Sequence, residues 1–417
     1  MTITSAVVRA ALRTMNAAGR MLGHAGLPPL PLDESALIEA ARRETGLSDF
    51  GGEEFRVALR LLLRDYEGEA RLTPLGRFVA RRDTVSLLAH RLQLEADRRR
   101  HPGIAEERIA RPLFIVGLPR TGSTLLHHLL AQDPMSRVAQ AWEVMAPSPP
   151  PGEGRDEADP RIGQAERQLR WLDRLAPAFR TIHPLGARLP LECMAITSHS
   201  FISQRFHTMY RVPNYQAWLG RQELRPAYEW HRRFLQHLQW RRPAHRWILK
   251  APSHAHGLDA LFETYPDALV VQTHRDPVAV LASVASLTAV LRAAFTDAVD
   301  LPEIGAEVAQ HWADGLERLM QIRGEGRVAP EHFFDVRYDE LVADPLAAIR
   351  RLYAHFDLAL SAAAEERMRG HLAEHPKDKH GPHIYSLAAF GLDAEEIRRR
   401  FKAYGERFAV PSEPGPC

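Results

Sequence analysis

Lysine is nearly absent from this chain. Of 54 lysine and arginine residues only four are lysine, at Lys250, Lys377, Lys379 and Lys402, which leaves 50 arginines. A bias toward GC-rich codons accounts for the skew, because alanine and proline are also plentiful. Against that bias, a retained lysine marks a place where a compact point charge serves better than a planar fork. Cysteine is equally scarce. Cys193 and Cys417 are the only two, which excludes a disulfide framework or a thiolate metal cluster and fits a reducing compartment. No apolar run approaches the roughly 20 residues that a membrane span requires. Charge of one sign is not in excess either: 54 basic against 52 acidic residues give a net charge of +2, and this offers no surface for nucleic acid.

Acidic residues are missing from Met1 to Leu32, where Arg9, Arg13 and Arg20 accompany an apolar set, Val8, Leu12, Met15 and Leu22, at helical spacing. Two readings stand: an amphipathic helix packing on the body, or a transit-like or membrane-surface helix. No apolar block followed by a small-residue cleavage site is present, so no secretory signal is expected. The chain is expected in the cytoplasm, with peripheral membrane contact through this helix as the variant. Its oligomeric state is not legible.

The 417 residues, 45% hydrophobic and 25% charged, suffice for one large domain or two ordinary ones with normal cores. Residues 1–108 read as a helical N-terminal extension or lid. Leu37, Ile38 and Ala41 form an apolar face ending near Gly46. Phe55, Leu59, Leu62 and Leu63 form another, and Thr73-Pro74 has the form of an N-cap followed by proline at the first helical position. From 109 to 417 the pattern changes to strands alternating with helices. Short apolar runs at Leu113–Val116, Trp247–Leu249, Ala268–Gln272 and Phe333–Val336 each precede a helical stretch. That alternation predicts an α/β fold with a parallel sheet covered on both faces. Residues 148 to about 245 interrupt the series. They open with a Pro/Gly-rich loop and continue as a helical, aromatic segment suited to acceptor recognition.

The run Gly117-Leu118-Pro119-Arg120-Thr121-Gly122-Ser123-Thr124 follows a strand and opens a helix. Two glycines at a helix N-terminus direct backbone N–H groups at one point and bind phosphate. The spacing nearly matches the nucleoside-triphosphatase loop, but Ser123 replaces the lysine that would contact the β and γ phosphates. A second unit, Val270 to Ser283, is a buried strand ending in Arg275, followed by a helix carrying Ser283 eight residues on. An arginine at a strand's carboxyl end supplies a charge-assisted fork where parallel sheets bind ligands. Two phosphate sites suit a nucleotide with phosphates at both ends of its ribose. No strand ending in an acid reads as a magnesium holder.

The PRTGST run resembles the 5′-phosphosulfate loop of sulfotransferases that use 3′-phosphoadenosine 5′-phosphosulfate (PAPS), in the bacterial group with a helical N-terminal region. The resemblance covers roughly residues 111–145 and 245–408. It implies a P-loop-type sheet flanked by helices and transfer of a sulfuryl group from PAPS to a hydroxyl of a small or lipid-like acceptor, without metal, leaving 3′-phosphoadenosine 5′-phosphate (PAP). It places Arg120, Thr121, Gly122, Ser123 and Thr124 at the 5′-phosphosulfate, and Arg275 and Ser283 at the 3′-phosphate. Tyr338, in Arg337-Tyr338-Asp339-Glu340-Leu341, falls near the adenine, and Lys379 and Gly381 match a basic segment over the 3′-phosphate. Where vertebrate cytosolic members carry a base-stacking tryptophan after the loop, this chain has Leu125, so other groups must hold adenine. Lys250, ending a strand 25 residues before Arg275, matches the lysine that sits against the sulfuryl group, and with Arg120 would stabilise the transition state. For the general base, Glu143, 23 residues beyond Arg120, stands first, His254 second and His183 third. The rival readings are a P-loop kinase or hydrolase using a nucleoside triphosphate, and a nucleotide-binding protein without catalysis.

Overall fold

The computed structural model describes residues 30–152, 159–175, 186–242, 245–375 and 386–413. Five parallel strands form one sheet: β1 (Leu113–Gly117), β2 (Ser136–Arg137), β3 (Arg246–Lys250), β4 (Leu269–His274) and β5 (Phe333–Arg337), in the order β2-β3-β1-β4-β5. β1 lies centrally, with Phe114 opposite Leu249 on one side and Val270 on the other. Alternate side chains leave opposite faces of a strand. Phe114, Trp247, Leu249 and Val270 accordingly enter one core with Phe234, Leu238 and Leu261. Leu113, Ile115, Ile248 and Val271 enter the other, with Leu126, Leu129, Ile349 and Leu352. Burial on both faces explains why β1, β3 and β4 read as largely apolar runs.

The expected strands all form, and the α/β class holds. β3 gains Arg246, which pairs with Ser136 of β2, and Lys250, which pairs with Ile115 of β1; β4 runs on through His274, which pairs with Arg337 of β5, so neighbouring strands extend the ladder beyond the apolar residues. β2 was not expected. Its two residues, Ser136 and Arg137, are half-buried and polar, and pairing with β3 alone makes them a strand.

The N-terminal helices follow their local signals. The helix Glu34–Thr45 is capped by the Asp33 carboxylate, which accepts from the Ala36 N–H at 2.9 Å, and ends at Gly46 with φ 69°. Thr73 Oγ1 accepts from the Gly76 N–H at 3.0 Å and starts the long helix Pro74–Arg100. These helices do not pack alone. Leu59, Leu62, Tyr66, Leu88 and Leu92 share a core with Phe201, Phe206, Tyr210, Tyr215 and Leu219. Buried Arg91 ties the two together. It donates to the backbone carbonyls of His199 at 2.9 Å and Phe50 at 3.0 Å, and its guanidinium stacks on Phe55 and Trp230. The basic N-terminal stretch through Leu22 lies outside the described residues.

Candidate active site at the carboxyl ends of the strands

β1 occupies the point from which the chain winds outward in both directions, where open parallel sheets bind their ligands. The loop after it needs both glycines. Gly117 has φ 121°, and a Cβ there would lie 2.4 Å from the Thr273 carbonyl oxygen. Gly122 has φ 83°, and its Cβ would lie 2.8 Å from Leu341 Cδ2. Between them Arg120 takes the left-handed conformation, φ 64°, a strain that surrounding contacts must hold. Thr121 supplies the hold. Its side chain is fully buried, its Oγ1 donates to the Leu118 carbonyl at 2.7 Å, and it meets Thr273 Oγ1 at 2.5 Å. The Thr121 side chain therefore points into the sheet. Gly122 then opens the helix Ser123–Leu130, whose first turn has no side-chain cap. Its N–H groups are donors that a helix start leaves for an anion.

A cavity of about 420 Å³ lies over this helix start. Pro119, Arg120, Gly122, Ser123, Thr124 and Leu125 form one wall, Lys250, Pro252 and Glu192 a second, and Arg275 and Tyr338 a third. Val342, Pro345, Leu372 and His375 close it with a largely apolar side. Lys250 is buried at the end of β3. Its Nζ donates to Thr124 Oγ1 at 3.2 Å and to the Glu192 carboxylate. Arg275, just past β4, donates through Nη1 to the Arg120 carbonyl at 3.0 Å and lies over the Tyr338 ring at 3.9 Å. Its Nε and Nη2 form a two-point pair with Glu413, both at 2.8 Å. Three cations thus face one compact space, which suits a ligand with several anionic groups.

Among the residues singled out from sequence, Arg120, Gly122, Ser123, Thr124, Lys250, Arg275 and Tyr338 come together around the cavity. Ser283 is buried in the helix Pro277–Ala293 and does not line it, whereas Leu287, one turn later, does. Lys379, Gly381 and His183 lie outside the described residues.

Two of the candidate bases stand elsewhere. Glu143 is buried in the short helix Ala141–Met145 as one half of a capping box. Its Oε2 accepts from the Gln140 N–H at 2.9 Å, and its Oε1 accepts from Arg137 at 3.0 Å and Arg242 at 3.2 Å. His254 is buried against the Phe114 and Tyr228 rings, with Nδ1 2.7 Å from the Tyr228 hydroxyl, and lines a separate small hollow of about 30 Å³. Burial pushes its pKa down to about 3, so the ring is neutral and weakly basic.

Glu192 was not anticipated. It is the one carboxylate among the cavity-lining residues, and it precedes the helix Cys193–Thr197. Its segment is held against the Glu143 helix. The Leu191 N–H donates to the Ala139 carbonyl at 2.8 Å, the Ala141 N–H donates to the Leu189 carbonyl at 3.0 Å, and Gln140 bridges Pro190. The available signal was a lone acid set within Leu189-Pro190-Leu191-Glu192-Cys193-Met194, since an ionisable residue in an apolar run needs a partner. Its neighbour Cys193 is buried, which pushes the thiol up to about 12 and leaves it protonated.

Comparison with known proteins agrees with this geometry. The curated omega-hydroxy-beta-dihydromenaquinone-9 sulfotransferase Stf3 of Mycobacterium bovis is 29% identical over 286 residues, 65% of this chain and 69% of that protein. The crystal structure of sulfotransferase STF1 from Mycobacterium tuberculosis superposes with a TM-score of 0.80 at 35% identity, covering 89% of this chain and 98% of that one. That of STF9 from Mycobacterium avium gives 0.84 at 30% identity, covering 92% and 98%. The sequence pattern of the sulfotransferase family matches residues 112–362, well over half the chain and the stretch that builds every wall of the cavity except its Leu372–His375 end. This chain belongs to the sulfotransferase family.

Proposed function

We propose that the protein moves the sulfuryl group of PAPS onto a hydroxyl of a lipid-like acceptor, with Glu192 as the general base. The observation that carries this reading is the pairing of buried Lys250 with Glu192 beside the phosphate-binding loop in a single cavity. The residues fit the donor. The first-turn N–H groups after Gly122, with Ser123 and Thr124, take the 5′-phosphosulfate. The Arg275 fork takes the ribose 3′-phosphate. Leu125, Val342, Pro345 and Leu372 offer an apolar slot for adenine, with Tyr338 at its border. The nucleoside triphosphate reading is not favoured: Ser123 replaces its lysine, and the chain's relatives are sulfotransferases.

In this reading Lys250 stabilises the negative charge that grows on the departing phosphate and the sulfuryl oxygens, and Arg120 assists from the loop. Glu192 accepts the acceptor's hydroxyl proton as the new oxygen–sulfur bond forms and the sulfur–phosphate oxygen bond breaks, so that PAP leaves. Glu143 serves as a positioning residue, because its capping box fixes Gln140, and Gln140 bridges the strand-like segment that ends at Glu192.

The acceptor reading rests on the Mycobacterium bovis relative, whose name specifies a hydroxylated dihydromenaquinone. No helix among the described residues is long and apolar enough to cross a membrane. We assign the basic N-terminal segment to peripheral contact with the membrane that holds the acceptor.

The test is transfer of a labelled sulfuryl group from PAPS to an omega-hydroxylated polyprenyl quinone, compared with the same quinone lacking the hydroxyl. Labelled product only from the hydroxylated compound, lost in Glu192→Gln, is expected. Transfer undiminished in Glu192→Gln removes the base assignment. No transfer to any lipid hydroxyl, with transfer to a water-soluble alcohol, removes the acceptor class.

A further inference from the structure

The carboxylate of Glu413 sits in the fork of Arg275, and the route by which it arrives is built from several contacts. The helix Lys402–Arg407 ends in a reversal: the Val410 N–H donates to the Gly405 carbonyl at 3.0 Å, and the Ala409 N–H reaches the Glu406 carbonyl at 3.5 Å. This is the double bond pattern that ends a helix with a left-handed residue, usually glycine. Here Ala409 takes that place with φ 47°. The reversal is anchored on His274, the residue before Arg275. The Phe408 ring stacks on the His274 ring at 4.3 Å between centroids, and the Tyr404 hydroxyl meets His274 Nδ1 at 3.1 Å.

Beyond the reversal, the backbone itself is gripped. The Glu413 N–H donates to Asp276 Oδ2 at 2.7 Å, while Asp276 Oδ1 accepts from the Val278 N–H at 2.9 Å and caps the following helix. One carboxylate therefore fixes both the helix start and the tail. With its backbone held there, Glu413 meets Nε and Nη2 of Arg275 with both oxygens at 2.8 Å. A two-point carboxylate uses the same pair of donors that a phosphate would use.

We propose that Glu413 and the ribose 3′-phosphate of the donor compete for the Arg275 fork, so that the C-terminal tail is an internal competitor of PAPS and PAP. This rests on the assignment of Arg275 to the 3′-phosphate made above. A protein whose fork is partly taken shows an apparent dissociation constant equal to the intrinsic one divided by the fraction of forks left open. The Arg275 and Glu413 side chains are 20% and 29% exposed. A partly exposed two-point pair shifts such an equilibrium by about fivefold. The tail would weaken PAP by that factor and hasten its release after turnover, while leaving a nucleotide without a 3′-phosphate untouched.

The experiment is calorimetric titration of the full chain with PAP and with AMP, for wild type, Glu413→Gln, Glu413→Ala and Arg275→Ala, with melting curves to establish that each variant is folded. The expected result is PAP tightened about fivefold in both Glu413 variants, with AMP unchanged, and PAP weakened toward AMP in Arg275→Ala. PAP affinity unchanged or lowered in the Glu413 variants, while Arg275→Ala still loses PAP, overturns the competition and leaves the 3′-phosphate site standing. Equal binding of PAP and AMP by wild type, unaffected by Arg275→Ala, overturns the site assignment and the competition with it.

Discussion

Replacing Glu143 by glutamine separates a carboxylate that performs proton transfer from one that positions it. The substitution keeps shape and removes charge. In the protein the Glu143 carboxylate is 1% exposed and neutralises Arg137, itself 10% exposed, and Arg242, 30% exposed. Breaking a buried pair typically costs 3–5 kcal/mol, because the surviving ion is left without its counter-charge. Solvent screens the Arg242 share, so about 3 kcal/mol is expected, nearly all from Arg137. The capping box loosens as well, and with it the Gln140–Pro190 bridge and the placement of Glu192. A displacement near 1 Å at a reacting group lowers rate by about a hundredfold. The assay is a thermal melt together with kcat and its pH dependence. The expected result is a melting point several degrees lower, kcat reduced about ten- to a hundredfold, and a pH profile that keeps its basic-group limb because Glu192 remains. An unchanged melt, a loss of a thousandfold or more in kcat and a vanished limb would refute the reasoning and make Glu143 the base.

Other consequences can be checked separately. Lys250→Met should lower kcat by about a hundredfold or more with little change in PAP affinity; a loss confined to KM would contradict its transition-state role. Gly122→Ala forces a side chain into a left-handed backbone against Leu341, and should destabilise by about 1–3 kcal/mol while weakening PAP; normal melting and binding would show that the loop is not so constrained. Acid should unfold the protein early. Burial holds His207, His231, His254 and His256 neutral, each with its pKa pushed down from 6.5 to about 3. The unfolded chain takes up these protons below pH 6.5 and the native state does not. Stability therefore falls as pH drops from 6.5 toward about 3, on the order of 1 kcal/mol per pH unit for each histidine. Melting points that stay flat across that window would contradict the burial.

The parts legible in the sequence were those fixed by local rules. Leu113–Val116 and its partner runs in β3 and β4 are apolar because both faces of these parallel strands are covered, whereas β5 at the sheet edge carries the exposed Asp335. Thr73-Pro74 and Gly46 announce helix ends because capping is local chemistry. The loop from Gly117 to Thr124 was readable because backbone geometry there demands glycine at two positions. What could not be read depends on contacts distant in the chain. β2 exists only through β3. Thr121 has a hydroxyl like Ser123 and Thr124, and only the neighbouring Thr273 turns it inward. Glu143 and Glu192 are both single acids near apolar residues. The Arg137 and Arg242 guanidiniums claim one of them and the Lys250 ammonium draws the other into the cavity, and neither pairing leaves a mark in local spacing.

We assign the cavity over β1 to a nucleotide bearing both a 5′-phosphosulfate and a 3′-phosphate. The most direct test is the affinity of the wild-type chain for PAP, with no metal added, set against ATP with magnesium. PAP is expected to bind more tightly than ATP–magnesium, and Arg120→Ala to weaken it. Binding of ATP–magnesium in preference to PAP would contradict the assignment.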